Sequence, residues 1–315
     1  MEFLSKPLSI VDEIPYFVEP ESYADAFGLQ WQKWANTQLD SHTGLDITRS
    51  RTKRMFGEHF YNLAGKLILE AGSGAGRFTE VLLEREAKLS SFDLSEAVHV
   101  NKSNNEHSNL QLFRCSITEI PFNVNSFDYV FCPGVIQHTP NPRESVESLW
   151  KQVKPGGYLI FDQYRFNLSH WLRPTWIIRI VAKRLSPENG IRFTNFLVRV
   201  FLPLHKKLAF RGFFEILLFR ISPITTHFTA YPNMKHEDQI AWAELNTHDN
   251  LTDWYKHFTN LKKLRKILVG LGASEVRFSI MPYTIEVIAK KPESSLSEPY
   301  SEEVLLMSKR GVNTA

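Results

Sequence analysis

A buried strand that runs straight into three closely spaced glycines constrains this chain more than any other feature. In LILEAGSGAGRF (67–78) the apolar run stops at Glu70-Ala71, and Gly72, Gly74 and Gly76 lead into a helix-length amphipathic stretch. Glycine is needed where the backbone must turn sharply and lie against a ligand that a Cβ would strike. From here on, short apolar runs alternate with helical stretches, which is the mark of repeated βα units and a parallel sheet. Strands are predicted at 67–71, 88–93, 110–115, 127–132 and 157–164, and helices at about 76–86, 95–106 and 143–153. Lys154-Pro155-Gly156-Gly157 reads as a turn that stops the third helix, because proline cannot continue it and glycine tolerates a left-handed cap. A helix near 259–271 follows, then SEVRFSI (274–280) and TIEVIAK (284–290), close enough for a closing antiparallel pair. The expected fold is α/β: a doubly wound, mostly parallel, seven-stranded, Rossmann-like sheet with a helical insertion.

The same pass gives an expected organisation along the chain. Residues 1–62 read as an N-terminal lid segment, 63–164 and 251–291 as the core, 165–250 as a basic helical insertion over the substrate, and 292–315 as a flexible tail. The tail is rich in Ser, Glu and Pro, a composition that buries little. No segment approaches the roughly 18 uninterrupted apolar residues of a membrane span. The N-terminus lacks the basic start and continuous apolar stretch of an export signal, so a cytoplasmic location is expected. Cys115 and Cys132 both fall in apolar strands, which predicts buried free thiols and no metal site. Charge is unevenly spread. Residues 165–221 hold eleven Lys or Arg against Glu188 and Glu215, while the rest of the chain is net acidic. Such asymmetry points to an acidic partner for that segment.

A glycine-rich turn alone is a weak signal, and its spacing matters. The dinucleotide fingerprint GxGxxG would need glycine at position 77, where this chain has Arg77. That argues against a nicotinamide or flavin dinucleotide. Asp93 ends the next strand, at the distance expected of a carboxylate that accepts hydrogen bonds from both ribose hydroxyls of a nucleoside. In Asp93-Leu94-Ser95 the serine can also start the following helix. Glu70, a carboxylate among apolar neighbours, needs a partner, and a cationic ligand with an amino group would provide one.

GSGAGRFTEVLL, SSFDLSEAV and IPFNVNSFDYVFCPGVIQHTPNPRESVESLWKQVKPGGYLIF together resemble the successive motifs of class I S-adenosylmethionine-dependent methyltransferases of the type 11 kind, in order and spacing across residues 63–164. FGLQWQKWANTQLDSHTG (27–44) is similar to the N-terminal segment of a bacterial subgroup of these enzymes. The resemblance implies S-adenosylmethionine as cofactor. It implies that Glu70, Gly72, Gly74 and Gly76 hug the methionine part, with Ser73 and Arg77 also in the cofactor-binding set. Asp93 would then hold the ribose and Ser116 and Ile117 flank the adenine, with Leu94 and Gly134 as further cofactor-binding residues. The family usually has an acidic residue at the position of Ser116, so the adenine contact departs from the pattern.

Methyl transfer is an in-line displacement, so the protein must mainly hold a nucleophile and exclude water. The loop Pro133 to Pro140 lies at the carboxyl edge of the sheet, where open α/β folds place ligands. His138 in it reads either as a general base for an oxygen nucleophile or as a brace for the loop. The polar run Thr247 to Phe258 reads as a substrate mouth, with Asp253, Tyr255 and His257 as secondary candidates, or as an ordinary loop anchored by Trp254 and Tyr255. Gln30, Trp31 and Gln38 read as parts of a lid, or Trp31 and Trp34 as plain docking residues. In the insertion, aromatic and aliphatic residues interleave with the cations as short amphipathic helices broken by Pro174, Pro187, Pro203 and Pro223. That suits a substrate cap, with peripheral contact at the inner membrane face through residues 165–221 as a second reading. Nucleic acid is disfavoured, since no RNA-binding module accompanies the charge. The expected function is methyl transfer to a small or lipid-linked acceptor, at oxygen; the rival is a non-catalytic S-adenosylmethionine-binding or membrane-associated accessory protein.

Overall fold

The computed structural model describes residues 1–19, 24–167, 175–293 and 300–307. Trp171, Arg173 and Pro174 of the basic insertion lie outside them. Ten strands form one sheet: β1 (Ser9–Val11), β2 (Ile14–Tyr16), β3 (Leu67–Ala71), β4 (Lys88–Asp93), β5 (Leu110–Arg114), β6 (Phe127–Cys132), β7 (Val153–Tyr164), β8 (Glu275–Ile280), β9 (Thr284–Lys290) and β10 (Ser301–Leu306). Their order is β1-β2-β5-β4-β3-β6-β7-β9-β8-β10. The central seven, β5 to β8 in that order, are the predicted doubly wound sheet, and β9 runs antiparallel to both its neighbours.

Alternation along each central strand explains the two layers of helices. On β3, Ile68 joins a core with Met55, Phe56, Phe78 and Val81, whereas Leu69 joins the opposite core with Val146, Leu149, Leu264 and Leu268. Successive side chains of a strand point to opposite faces, so a strand covered on both faces must be apolar throughout.

Three strands extend the expected seven. β1 and β2 form a hairpin through Asp12 and Glu13, both with positive φ (46° and 64°), and β2 pairs with β5. That turn carries no glycine, so its usual sequence signal is missing. β10 pairs in parallel with β8, within the segment expected to be a flexible tail. Its side chains are mostly exposed, which is why composition concealed it. Lys154 to Gly157 is likewise not a separate turn: β7 runs from Val153 with an irregularity opposite Phe127 and Tyr129.

The chain divides into two compact units. The sheet unit comprises residues 1–22, 47–166 and 255–315, and the helical unit residues 23–46 and 167–254. The expected N-terminal segment 1–62 is therefore shared between them. In the helical unit, Ala182, Leu197, Val198, Leu202, Ile224, Ala243 and Leu251 form a core. Of the expected breaks, Pro187 falls at a helix boundary, whereas Pro203 does not interrupt its helix. Pro187 opens the helix Pro187–Leu208 behind the Ser186 cap, and Pro203 lies inside that helix. Proline is favoured at the first helical position, and both Pro203 and Arg199 one turn earlier are exposed, so the carbonyl that loses its partner there faces water.

Candidate functional site

The glycine turn is held by the protein itself. Gly72, Gly74 and Gly76 have φ of 73°, 53° and 87°, a region L-residues avoid. The N–H groups of Gly72 and Ser73 donate to Phe92 O (2.8 and 3.0 Å), tying the turn to β4. A Cβ on Gly72 would fall 2.3 Å from Val135 Cγ2, and one on Gly76 2.2 Å from Asn101 Oδ1 and Asn105 Nδ2. At these two positions neighbouring side chains, as well as φ, disfavour a Cβ.

Glu70 is fully buried at the end of β3. Thr79 Oγ1 (2.6 Å) and Ser91 Oγ (2.8 Å) donate to its Oε2. Asn101 and Asn105 extend that chain, with Asn101 donating to Thr79 Oγ1 and Asn105 to Asn101 Oδ1 (both 2.9 Å). Oε1 has no partner among the described residues, and neither does the buried Ser73 Oγ. Burial pushes the Glu70 carboxyl up to about 7, against the pull of the two hydroxyls. An orphaned carboxylate oxygen in such a place calls for a donor from a ligand.

Asp93, at the end of β4, is clamped on both oxygens. Gly74 N donates to Oδ2 (2.9 Å), and Ser95 N and Oγ donate to Oδ1 (2.9 and 2.8 Å). The carboxylate bridges the glycine turn to the next loop and still offers lone pairs. Ser95 sits one residue before the cap of helix Ala97–Asn104, which is Glu96. Behind this loop lies a residue that the sequence reading missed. Arg114 is wholly buried on β5, donates from Nε to Leu94 O (2.8 Å), and pairs with Glu96. A charge within LQLFRC was the available signal. Ser116 Oγ is engaged with Thr118 Oγ1 (2.8 Å), Ile117 is buried, and the Arg77 guanidinium lies over the Phe78 ring.

Asp162 near the end of β7 makes a second clamp. It accepts from Gly134 N through Oδ1 and from Arg51 Nη2 through Oδ2, each at 2.6 Å. Arg51, on helix Ile47–Phe56, keeps a quarter of its side chain exposed and passes 5.5 Å from the Phe78 ring centre. Neither residue was singled out from sequence, although a buried Asp in GYLIFDQY must have a partner.

At the ends of β6 and β7 the predicted chemistry-bearing residues gather. His138 closes a short 3-10 turn, with Nδ1 3.3 Å from Tyr255 O and Nε2 a long 3.5 Å from Tyr164 Oη. His257 N donates to Gln137 O (2.9 Å), and the His257 and Tyr255 rings stack with centroids 6.1 Å apart. His257 Nε2 and Gln137 Oε1 are buried without a partner among the described residues, and burial lowers the His257 pKa. His138, Tyr255 and His257 thus come together, joined by Tyr164, which was not predicted.

Asp253 has a different setting, inside the helical unit. Its carboxylate pairs with buried Arg179, whose guanidinium also donates to Asp253 O (3.0 Å) and Asn250 O (2.7 Å). That is a bracing contact. Thr247 to Thr252, expected in a loop, belong to helix His236–Thr252. Gln30 Oε1 meets His248 Nδ1 at 2.8 Å and Trp34 Nε1 donates to Glu244 (3.3 Å), so this part of the N-terminal segment docks on that helix.

Residues 69–161 match a family model described as a methyltransferase domain. The sheet core thus contains a segment similar to a methyltransferase domain. Its relatives include a ubiquinone biosynthesis O-methyltransferase of Idiomarina loihiensis, 32% identical over 118 residues, which are 36% of this chain and 49% of that one. Another of the same name, from Pseudomonas fluorescens, is 27% identical over 174 residues, 53% of this chain and 73% of that one. The chain spans about half the length of the first of these relatives. A solved S-adenosyl-L-methionine-dependent methyltransferase of Methanococcus maripaludis is 11% identical with a TM-score of 0.49, covering 89% of this chain and 98% of that one. Within the matched segment, the glycine turn, Glu70, Asp93 and Gly134 all stand at the carboxyl ends of β3, β4 and β6, the edge where doubly wound sheets bind ligands.

Proposed function

We propose that this protein transfers a methyl group from S-adenosylmethionine to an oxygen of a small or lipid-linked acceptor. The orphaned Oε1 of Glu70, buried beside a left-handed glycine turn that Asp93 clamps, is the observation that carries the reading. The fit to the cofactor is chemical. Glu70 Oε1 suits an ammonium donor, the remaining lone pairs of Asp93 suit vicinal hydroxyls, and the partly exposed Arg51 side chain suits a carboxylate. Arg77, Leu94, Ser116, Ile117 and Gly134 complete the proposed cofactor set. Bound there, the sulfonium supplies an electrophilic methyl carbon. The chain must then orient the acceptor, keep water out and take up one proton.

His138 is the proposed base for that proton. A neutral imidazole held by a backbone carbonyl at Nδ1 presents Nε2 as acceptor, and Tyr164 Oη is its neighbour on that side. Tyr255 and His257 are proposed to line the acceptor side. The acceptor class leans on the O-methyltransferase relatives and on the apolar, cationic insertion, which suits a lipid-linked molecule met at the inner membrane face by a cytoplasmic protein. No helix among the described residues is long and apolar enough to cross a membrane.

The decisive test is transfer of radiolabelled methyl from S-adenosylmethionine into a cell extract, partitioned between water and organic solvent. Label should enter the organic phase with the wild-type protein and fall to background with Asp93→Ala or Gly74→Val, which should also lose cofactor binding in a titration. Cofactor binding retained in both variants would overturn the site. Binding without turnover on any extract would favour an accessory protein instead. Removing a general base typically costs about 10²–10⁴-fold, so His138→Ala should lower the rate by that order with cofactor affinity kept.

A further inference from the structure

Burial normally claims most apolar side chains of a helix, and one helix of this protein departs from that rule. In helix Phe213–Ile221 only Leu218 is buried among its residues. Phe213 is 72% exposed, and Phe214, Ile216, Leu217 and Ile221 are all exposed beside it. The turn that leads into this helix adds Phe210, 69% exposed and held at a φ of 64° that bulky residues avoid. The preceding long helix carries a further exposed row of Phe196, Val200 and Leu204, spaced at one helical turn. So many exposed apolar side chains on two consecutive helices of a folded chain mark an interaction site.

The charges around it identify the partner. Lys206, Lys207, Arg211 and Arg220 flank the hairpin and are all exposed. Glu215 is the only acidic residue between Lys206 and Ile221, and it is turned inward: its carboxylate accepts from Phe210 N (3.1 Å) and Thr229 Oγ1 (2.7 Å). The outward face of this hairpin is therefore apolar at its tip and cationic at its margins. A second copy of the chain would bring like charges together, since a two-fold contact sets the same patch against itself. Nucleic acid would use the cations but leave Ile216, Leu217 and Ile221 in water. An anionic bilayer satisfies both, with side chains in the acyl boundary and cations among phosphates.

We propose that the hairpin formed by the end of helix Pro187–Leu208 and helix Phe213–Ile221 inserts its aromatic tip into the surface of an anionic lipid bilayer. The Glu215 contacts hold Phe210 and the turn in the shape that presents Phe213 and Phe214, so the insertion surface is preformed. This goes beyond the methyl-transfer reading and does not depend on it.

The test is co-sedimentation of the full chain with vesicles of phosphatidylcholine alone and of phosphatidylcholine mixed with phosphatidylglycerol. The protein should pellet with the mixed vesicles and remain in solution with the neutral ones. Added salt should weaken binding without abolishing it, because part of the attraction is apolar. Phe213→Ser with Phe214→Ser should reduce binding to the mixed vesicles by about tenfold or more, with circular dichroism and S-adenosylmethionine binding unchanged. Arg211→Glu with Arg220→Glu, both at exposed positions, should do the same if the serine variant folds poorly. The proposal is overturned if the wild-type chain ignores mixed vesicles or if both variants bind as well as it does. It is equally overturned if the hairpin instead mediates self-association, seen by ultracentrifugation and lost in the serine variant.

Discussion

Glu70 is a buried carboxyl whose ionisation works against stability. Its carboxyl rises from 4.5 in the unfolded chain to about 7 in the fold because burial penalises the charged form. Between those values the folded state binds the proton and the unfolded state does not, so stability contributed by this group falls as pH rises through the window. Above the folded value the full penalty applies, on the order of 3 kcal/mol at most. Glu70→Gln removes the titration while keeping an acceptor for Thr79 and Ser91. The variant without cofactor should therefore gain stability over wild type at pH 8 and differ little at pH 5, measured by denaturant midpoints, while its cofactor affinity drops. An equal difference at both pH values would mean that the carboxylate is ionised in the fold without penalty.

At the level of elements, the strand β10 is held by backbone pairing with β8 and by the Arg265 to Glu302 ion pair, not by buried side chains. Arg265 is well exposed, so solvent screens that pair and it adds little. Ending the chain after Glu293 should lower stability by roughly 1–3 kcal/mol and leave cofactor binding unchanged, as read by thermal melting and titration. The same elements explain what the sequence disclosed. β3 to β9 were legible because strands covered on both faces must be apolar, and Gly72, Gly74 and Gly76 marked the turn. β1, β2 and β10 were not, because an edge strand with exposed side chains or a hairpin turned by Asp12 and Glu13 leaves no such pattern. Of the candidate site, the Glu70 and Asp93 carboxylates were readable from their strand ends. The Arg51 to Asp162 clamp joins residues far apart in sequence, and no local spacing announces it.

Over the whole molecule, the two units carry opposite responses to acid. In the helical unit, burial depresses His205, His227 and His248 to about 4. Each has a hydrogen-bonding neighbour, Ser222, Asn246 and Gln30 respectively, and the Asn246 amide donating to His227 requires a neutral ring. A histidine depressed below its unfolded value of 6.5 contributes stability that is present above that value and lost as pH falls toward 4. His205 and His248 are nearly inaccessible, so the loss is on the order of 3 kcal/mol each at most. In the sheet unit the large shift within the acid range belongs to Glu70, whose penalty is relieved over the same descent, and the smaller downward shifts of His59 and His257 temper that relief. Lowering the pH from 7 to 5 should thus weaken the helical unit far more than the sheet unit. Amide hydrogen exchange, corrected for its intrinsic pH dependence, should show faster opening of helices Pro187–Leu208 and His236–Thr252 at pH 5 while β3, β4 and β6 hold their protection. Replacing His205 and His248 with Gln should flatten the response of the helical unit without changing that of the sheet. Equal loss of protection in both units at pH 5 would show that they unfold as one and that the buried histidines do not set the acid limit.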